Sequence, residues 1–232
     1  MRGIWKRPWI WKSEMTPAET APPDWAALWA RAWQAVALPA PTALLPQLLD
    51  SYRQPQRHYH TLQHLGECLE HLERAWAQAE RPGEVALALW FHDAIYDVQG
   101  RDNEAQSAAW ARRALHEAGA PDEVAGRVHA LILATRHDAP PQGGDARLLT
   151  DIDLAILGAA PGRFAEYERQ IRAEYAHVPA AQFDAGRRAL LAAFLARQPL
   201  YRTAPFSAAL EARARANLEA ALACLDARPK TV

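Results

Sequence analysis

Cysteine is scarce in this chain: only Cys68 and Cys224 occur among its 232 residues. Two cysteines so far apart in the sequence build no disulfide framework, and they lack the close spacing of cysteine-based metal sites. We therefore expect a reducing compartment and predict a cytoplasmic protein. Alternating strand patterns, internal repeats and low-complexity inserts are missing as well, which argues against all-β and repeat architectures.

An excess of charge of either sign is also missing. The 26 basic and 27 acidic residues give a formal net charge of -1, so we expect no general attraction to nucleic acid or anionic membranes. No apolar run reaches the ~20 residues that a membrane-spanning helix needs, and nothing resembles a nucleic-acid recognition module. We predict a protein without membrane or nucleic-acid partners. Its oligomeric state stays open, with a homo-oligomer as one alternative.

The first 22 residues differ from the rest of the chain. They are rich in tryptophan, and all of their basic residues precede the first acid, Glu14. The stretch lacks the continuous apolar centre of a signal peptide. We interpret residues 1–22 as a loosely packed or disordered N-terminal arm, and a surface-binding arm is the alternative.

Helical periodicity covers the remainder, residues 23–228. Trp25, Trp29 and Trp33 recur every four residues behind the candidate N-cap Asp24, which predicts a helix whose tryptophans face the core. Proline and glycine interrupt the chain at short intervals, as they do between the helices of a bundle. The sequence therefore predicts an all-α single domain, a bundle of about eight to ten helices.

Three segments carry metal-binding side chains into apolar surroundings. His92 and Asp93 end an apolar run, His60 and His64 lie four residues apart, and Asp153 falls inside another apolar run. Residues four apart share one face of a helix, and a buried carboxylate without a partner is costly. Imidazole nitrogen and carboxylate oxygen from separate segments suit a divalent metal. We predict that His64, His92, Asp93 and Asp153 hold it.

The last of these segments offers two carboxylates. On a helix, Asp153 shares a side with Leu149, Ile156 and Leu157, the stripe that we expect to be buried. Asp151 falls nearer the polar edge, where capping a helix or supporting a ligand is sufficient. Asp153 is therefore the preferred ligand, and Asp151 is the alternative.

Two imidazoles and two carboxylates suit Mn, Fe, Co, Ni or Zn better than calcium, with Mg as an alternative. Such an ion keeps open positions, where it can convert water to hydroxide near neutral pH and bind a phosphoryl oxygen. The predicted cofactor is a divalent transition metal.

Four further residues are candidates for catalysis or substrate binding. Asp97, expected one helical turn beyond Asp93, can accept a proton or orient water, or simply cap its helix. His60, if it is not a ligand, can donate a proton to the leaving oxygen. Arg57 can hold a phosphate oxygen or form a salt bridge. His137, just before a Gly/Pro loop, is a second candidate for substrate binding.

The order His64, His92-Asp93, Asp153 resembles the HD superfamily of metal-dependent phosphohydrolases. The fuller pattern resembles its uncharacterised branch of predicted bacterial HD phosphohydrolases. The resemblance extends over nearly the whole chain except the N-terminal arm. The matching blocks are RHYHTLQHL (57–65), WFHDAIYD (90–97), DNEAQSA (102–108), TDIDLAILG (150–158) and IRAEY (171–175).

The resemblance implies an HD-type metal-binding domain over residues 23–228 and hydrolysis of a phosphate ester. The segment YHTLQH is similar to the YHNxxH segment of cyclic-nucleotide phosphodiesterases, although Thr61 replaces the Asn. That similarity implies His60 as the proton donor and His64 as a ligand. HDAIYD is similar to the HDxxED segment of (p)ppGpp hydrolases, with Tyr96 in place of the Glu. HD proteins with two metals carry additional histidines, and their scarcity here favours one metal.

We therefore predict a metal-dependent phosphohydrolase that cleaves a phosphate ester of a small metabolite or nucleotide with metal-activated water. Whether it is a phosphomonoesterase, a phosphodiesterase or a pyrophosphohydrolase stays open. The alternative is a non-catalytic HD module that binds metal and senses a nucleotide. A metal-dependent activity screen separates the two hypotheses.

Overall fold

A computed structural model describes residues 23–227, and within them the chain forms ten α-helices and no strand. The expected bundle of eight to ten helices is confirmed. The predicted N-terminal arm lies outside the described residues. In chain order the helices are α1 (Trp25–Ala35), α2 (Leu44–Ser51), α3 (Leu62–Ala75), α4 (Pro82–Phe91), α5 (Asn103–Glu117), α6 (Asp122–Leu133), α7 (Gly144–Asp153), α8 (Pro161–Glu174), α9 (Ala180–Ala196) and α10 (Ala204–Asp226).

Helix α4 lies at the centre of the bundle because it is apolar on nearly every side. Every residue from 83 to 91 is buried, and α1, α3, α5, α6 and α7 pack around it. Its one acid, Glu84, receives two hydrogen bonds from Arg127, at 2.6 and 2.7 Å. Among residues 23–227, neither α4 nor any other helix is long and apolar enough to cross a membrane.

Helix α1 packs its tryptophans against α4, as the four-residue spacing predicts. The side chain of Asp24 accepts the backbone N–H of Ala27 and caps the helix. Trp29 is buried, and its ring meets Trp90 edge to face, with the centroids 5.2 Å apart. A Cβ at Gly83 would lie 2.7 Å from the Cβ of Ala35, so glycine allows the two helices to approach closely here.

The chain beyond α7 is tied to α10. Asn217 donates from Nδ2 to the carbonyls of Leu157 and Ala159, at 2.9 Å each. A Cβ at Gly158 would lie 2.7 Å from the Cβ of Leu210. These contacts fix the short 3-10 helix that follows α7, and with it the end of α7 that carries Asp153.

Helix α3 begins later than the pattern of histidines indicates. Thr61 is extended, with φ -114° and ψ -176°, and its side chain accepts the N–H of Gln63. The helix therefore starts at Leu62. His60 precedes it, and the expectation that His60 and His64 share a helical face is wrong.

Helix α4 ends at Phe91, so the expectation that Asp97 lies one helical turn beyond Asp93 is also wrong. Asn103 holds the loop instead: its Nδ2 donates to the carbonyl of Asp97, and its Oδ1 accepts the N–H of the same residue, at 2.8 and 3.1 Å. The Asp97 carboxylate accepts the N–H of Gln99 at 2.9 Å. The carboxylate of Asp97 therefore stabilises a turn of this loop and does not cap a helix.

Candidate metal centre

The four predicted ligands meet at the C-terminal end of α4. His64 lies in the first turn of α3, His92 and Asp93 follow α4, and Asp153 ends α7. The Nε2 atoms of His64 and His92 are 3.1 Å apart. Asp93 Oδ2 lies 2.9 Å from His92 Nε2 and 3.4 Å from His64 Nε2. Asp153 Oδ1 lies 3.5 and 3.3 Å from the same two atoms.

These separations are those of donor atoms around one ion. Donors with bonds of ~2.1 Å lie ~3.0 to 3.4 Å apart when the angles between the bonds are ~90 to 110°. The five measured separations fall between 2.9 and 3.5 Å. The geometry therefore fits a single metal ion held by two nitrogens and two oxygens.

The imidazole of His92 is oriented for this purpose. Its Nδ1 lies 2.8 Å from the carbonyl oxygen of Leu89, and because a carbonyl only accepts, Nδ1 carries the proton. Nε2, which faces His64 Nε2, is then the nitrogen that can bind a cation. A hydrogen bond from the remote ring nitrogen is the usual support of a metal-binding histidine.

Both carboxylates of the cluster are ionised. Burial alone would raise the pKa of Asp93 and Asp153, but the hydrogen bonds and charges of the surrounding imidazoles hold both pKa values well below the usual range. An ionised carboxylate is the form that binds a cation.

Cys68 is a buried neighbour of the cluster that sequence reasoning missed. His64, Cys68, His92 and Asp153 each offer one donor atom, these atoms lie within 4.8 Å of one another, and the group could hold a metal ion. Cys68 Sγ is 3.7 Å from Nδ1 of His64 and 3.8 Å from its Nε2. Sγ is therefore no closer to Nε2, the nitrogen that faces His92, than to Nδ1. Its position four residues after His64 was the available clue.

Glu174 at the end of α8 is a second missed residue. One of its oxygens accepts the backbone N–H groups of His58, Tyr59 and His60, at 2.8, 2.8 and 3.0 Å. The other lies 2.8 Å from His60 Nδ1 and 2.9 Å from the Tyr96 hydroxyl. Burial alone would raise the pKa of Glu174, but the hydrogen bonds of His60 lower it to about 2. The ionised carboxylate of Glu174 therefore positions the imidazole of His60.

His60 itself lies beside the cluster, in the wall of a cavity. Its ring stacks on Tyr96 with the centroids 4.0 Å apart. Because Nδ1 is bonded to Glu174, Nε2 is the nitrogen that remains for exchange with a ligand in the cavity. His60 reaches the wall of the cavity from the turn that precedes α3, and not from the helix itself.

His137 also reaches the cluster, through the second oxygen of Asp153. Helix α6 ends at Leu133, and His137 adopts a left-handed conformation with φ 55°. Its Nε2 lies 2.9 Å from Asp153 Oδ2, the oxygen that is turned away from His64 and His92. His137 lines the cavity and orients Asp153.

Arg57 supports the backbone of the site. The buried guanidinium donates to the carbonyls of Asp93 and Ala94, at 2.5 and 3.0 Å. It also donates to the carbonyl of His60 and to the side chain of Gln54, both at 3.2 Å. These bonds use most of its donors, and Arg57 is not among the residues that line the cavity. Its place points to a positioning role; Asp97, in contrast, does line the cavity.

Asp151 is more deeply buried than the sequence pattern indicates, with 2 % of its surface exposed. It accepts the N–H of Arg202 and both the N–H and the hydroxyl of Thr203, at 2.6 to 3.0 Å. Burial raises its pKa. The placement nearer a polar edge was therefore wrong, but the carboxylate does support a helix start, that of α10.

A cavity of about 830 Å³ opens beside the cluster. Asp93, Asp153, His60 and His137 lie in its wall. Three of the buried polar side-chain atoms in residues 23–227 lack a hydrogen-bond partner, and of these only the Tyr59 hydroxyl belongs to a residue of this wall. The cavity has the size of a small-molecule site.

No family model, curated protein or solved structure matches this chain.

Proposed function

We propose that this protein is an HD-type metal-dependent phosphohydrolase that acts on a small phosphorylated metabolite or nucleotide. The observation that carries the proposal is the convergence of donor atoms from His64, His92, Asp93 and Asp153 at 2.9 to 3.5 Å. The cavity beside them offers room for a substrate. The resemblance of their order to the HD superfamily supports the same function.

The donor set suits a divalent transition metal such as Mn, Fe, Co, Ni or Zn, with Mg as the alternative. Such an ion supplies a hydroxide nucleophile near neutral pH and stabilises negative charge on a phosphoryl group. One ion per chain is expected, because His137 occupies the oxygen of Asp153 that faces away from the other donors.

His60 is placed to move a proton. Glu174 is ionised and holds Nδ1 of His60, so Nε2 is the nitrogen left to exchange a proton with the leaving oxygen. A positioned acid of this kind typically contributes about 100-fold or more to the rate. His60 is therefore our candidate for the donor of the proton that the departure of an alcohol requires.

Four arginines line the same cavity, and one of them, Arg187, is paired with Glu168. In the part of the chain that the structure describes, the other three, Arg101, Arg136 and Arg197, have no carboxylate within 4.0 Å. Arg197 is fixed by a bond to the carbonyl of His137 at 3.2 Å. Uncompensated guanidinium groups attract phosphate, and these replace Arg57 as our candidates for binding it.

The test is a hydrolysis screen on the metal-loaded chain with p-nitrophenyl phosphate, bis(p-nitrophenyl) phosphate and nucleoside mono-, di- and triphosphates. We expect metal-dependent turnover that falls about 100-fold in His60→Ala while metal content stays unchanged. The matched control is His58→Ala, because the side chain of His58 is exposed two residues away. Its turnover should equal that of the parent.

Two outcomes would contradict the proposal. Turnover that survives removal of all metal by a chelator would show that the cluster is not the reaction centre. Tight binding of metal and nucleotide without turnover of any compound in the screen would instead identify a non-catalytic, nucleotide-sensing module.

A further inference from the structure

One wall of the cavity is a face of helix α9. Its cavity-lining residues recur at intervals of three or four positions, which places them on a single side of the helix. The apolar and small residues of this wall are Phe183, Gly186, Leu190, Ala193 and Phe194. The polar ones are Gln182, Arg187 and, at the C-cap of α9, Arg197.

The middle of this wall is open and apolar. Leu190 is 45 % exposed, and it is the one exposed large hydrophobic side chain in residues 23–227. One turn earlier, a Cβ at Gly186 would meet no atom within 4 Å. Phe194 is buried, and the guanidinium of Arg197 lies over its ring, 4.7 Å from the ring centre. An apolar surface therefore lies in the cavity, with a space beside Gly186 and a cation at one end.

The cavity is larger than a phosphate group requires. Its volume of about 830 Å³ falls in the range of sites that enclose whole small molecules. The polar donors Asp93, Asp153, His60 and His137 account for part of the lining. The apolar side chains in the same cavity offer no hydrogen bond or charge to a phosphate. Exposed apolar surface in a binding cavity is normally covered by the ligand.

We propose that the substrate of this protein is a phosphate ester with an aromatic or branched apolar group, which packs against Phe183, Leu190 and Phe194. The phosphate lies at the end of the cavity with the metal-binding cluster, and the apolar group lies along α9. The inference rests on the proposed phosphohydrolase function and adds the chemistry of the organic part of the substrate.

The experiment compares two non-hydrolysable probes, benzylphosphonate and methylphosphonate, by calorimetric titration of the Mn²⁺-loaded chain. Burial of the aromatic ring should make benzylphosphonate bind at least about tenfold more tightly. Leu190→Gln should reduce that ratio by about threefold or more, because it replaces part of the apolar surface. Leu190 is half exposed, so the fold is expected to tolerate the change.

The matched control is Ala189→Gln, an exposed position of α9 outside the cavity lining, which should keep the parental ratio. Equal affinities for the two phosphonates, or a ratio unchanged in Leu190→Gln, would overturn the inference and leave the phosphohydrolase proposal in place. Failure of both phosphonates to bind would overturn both. Benzyl alcohol that binds in the cavity of a chain without phosphatase activity would overturn the phosphohydrolase proposal, and with it the inference that the apolar ligand is a phosphate ester.

Discussion

Asp151 and Asp153 lie two residues apart on α7, but their carboxylates meet different partners. Asp151 accepts hydrogen bonds from the backbone of Arg202 and Thr203, whereas Asp153 lies against imidazole nitrogens. The same contrast separates Glu174, which accepts three backbone N–H groups, from Asp93. We name Asp151 and Glu174 the anchored carboxylates, and Asp93 and Asp153 the candidate ligand carboxylates.

The contrast shows that burial alone does not identify a metal ligand. A backbone N–H can only donate, so an oxygen that accepts several of them is already satisfied. The situation differs for His92, whose ring is fixed through Nδ1. Its Nε2 faces carboxylate oxygens, and such a nitrogen and oxygen repel each other unless a proton or a cation lies between them.

The largest effect is expected from Asp93→Asn. The substitution keeps the shape of the side chain and removes its charge, so metal affinity should fall by at least about 100-fold, more than the loss typical of outer partners of a metal site. Competition with a chromophoric chelator measures the dissociation constant. A dissociation constant within a few-fold of the parent would show that Asp93 is not a metal ligand and remove it from the candidate ligand carboxylates.

Asp151→Ala should lower stability and leave metal binding intact. Three partly buried donors on Arg202 and Thr203 lose their acceptor, which should cost about 2 to 4 kcal/mol in the free energy of unfolding. Denaturant titration of the metal-free chain measures it. Asp145→Ala is the matched control, because Asp145 accepts the N–H groups of Glu80 and Arg81 at an exposed site and should cost less.

Glu174→Gln should slow turnover about tenfold by releasing His60, without loss of metal. Hydrogen bonds outweigh burial and lower the pKa of Glu174 from 4.5 to about 2. Its stabilising contribution is therefore complete above its unfolded-state pKa and is lost as the pH falls towards about 2. The difference in unfolding free energy between parent and variant should shrink over the same interval. A difference that grows on acidification would contradict the assignment.

Cys68→Ala should have the smallest effect. Because His64, His92, Asp93 and Asp153 already supply four donor atoms at 2.9 to 3.5 Å, we expect the metal dissociation constant to change by less than about threefold, below the loss typical of a true ligand. The Co²⁺ derivative of the parent should lack the near-ultraviolet band of a sulfur ligand. If the band is present and disappears in Cys68→Ala, Cys68 is a ligand.

The fold could be predicted because helical periodicity and frequent proline and glycine leave few alternatives. The tryptophans of α1 and the apolar run of α4 occupy the core as their spacing predicts. Helix ends were less predictable, since they depend on local capping. Thr61 caps the N-terminus of α3, so that the helix begins only after His60. Asn103, from a later segment, fixes the loop around Asp97.

The convergence of the candidate ligands could be predicted because histidines and acids in apolar segments need common partners. The position of Glu174 could not, since the N–H groups it accepts come from a turn 114 to 116 residues away in the sequence. The burial of Asp151 depends in the same way on the start of α10. Sequence periodicity reports which face of a helix is apolar but not which distant backbone meets it.

The most direct test is the metal content of three purified chains: the parent, Asp153→Ala and Asp151→Ala. The account predicts about one divalent ion per chain in the parent and in Asp151→Ala, the ratio of a single closed donor set, and almost none in Asp153→Ala. Equal metal content in all three chains, or loss in Asp151→Ala alone, would contradict it.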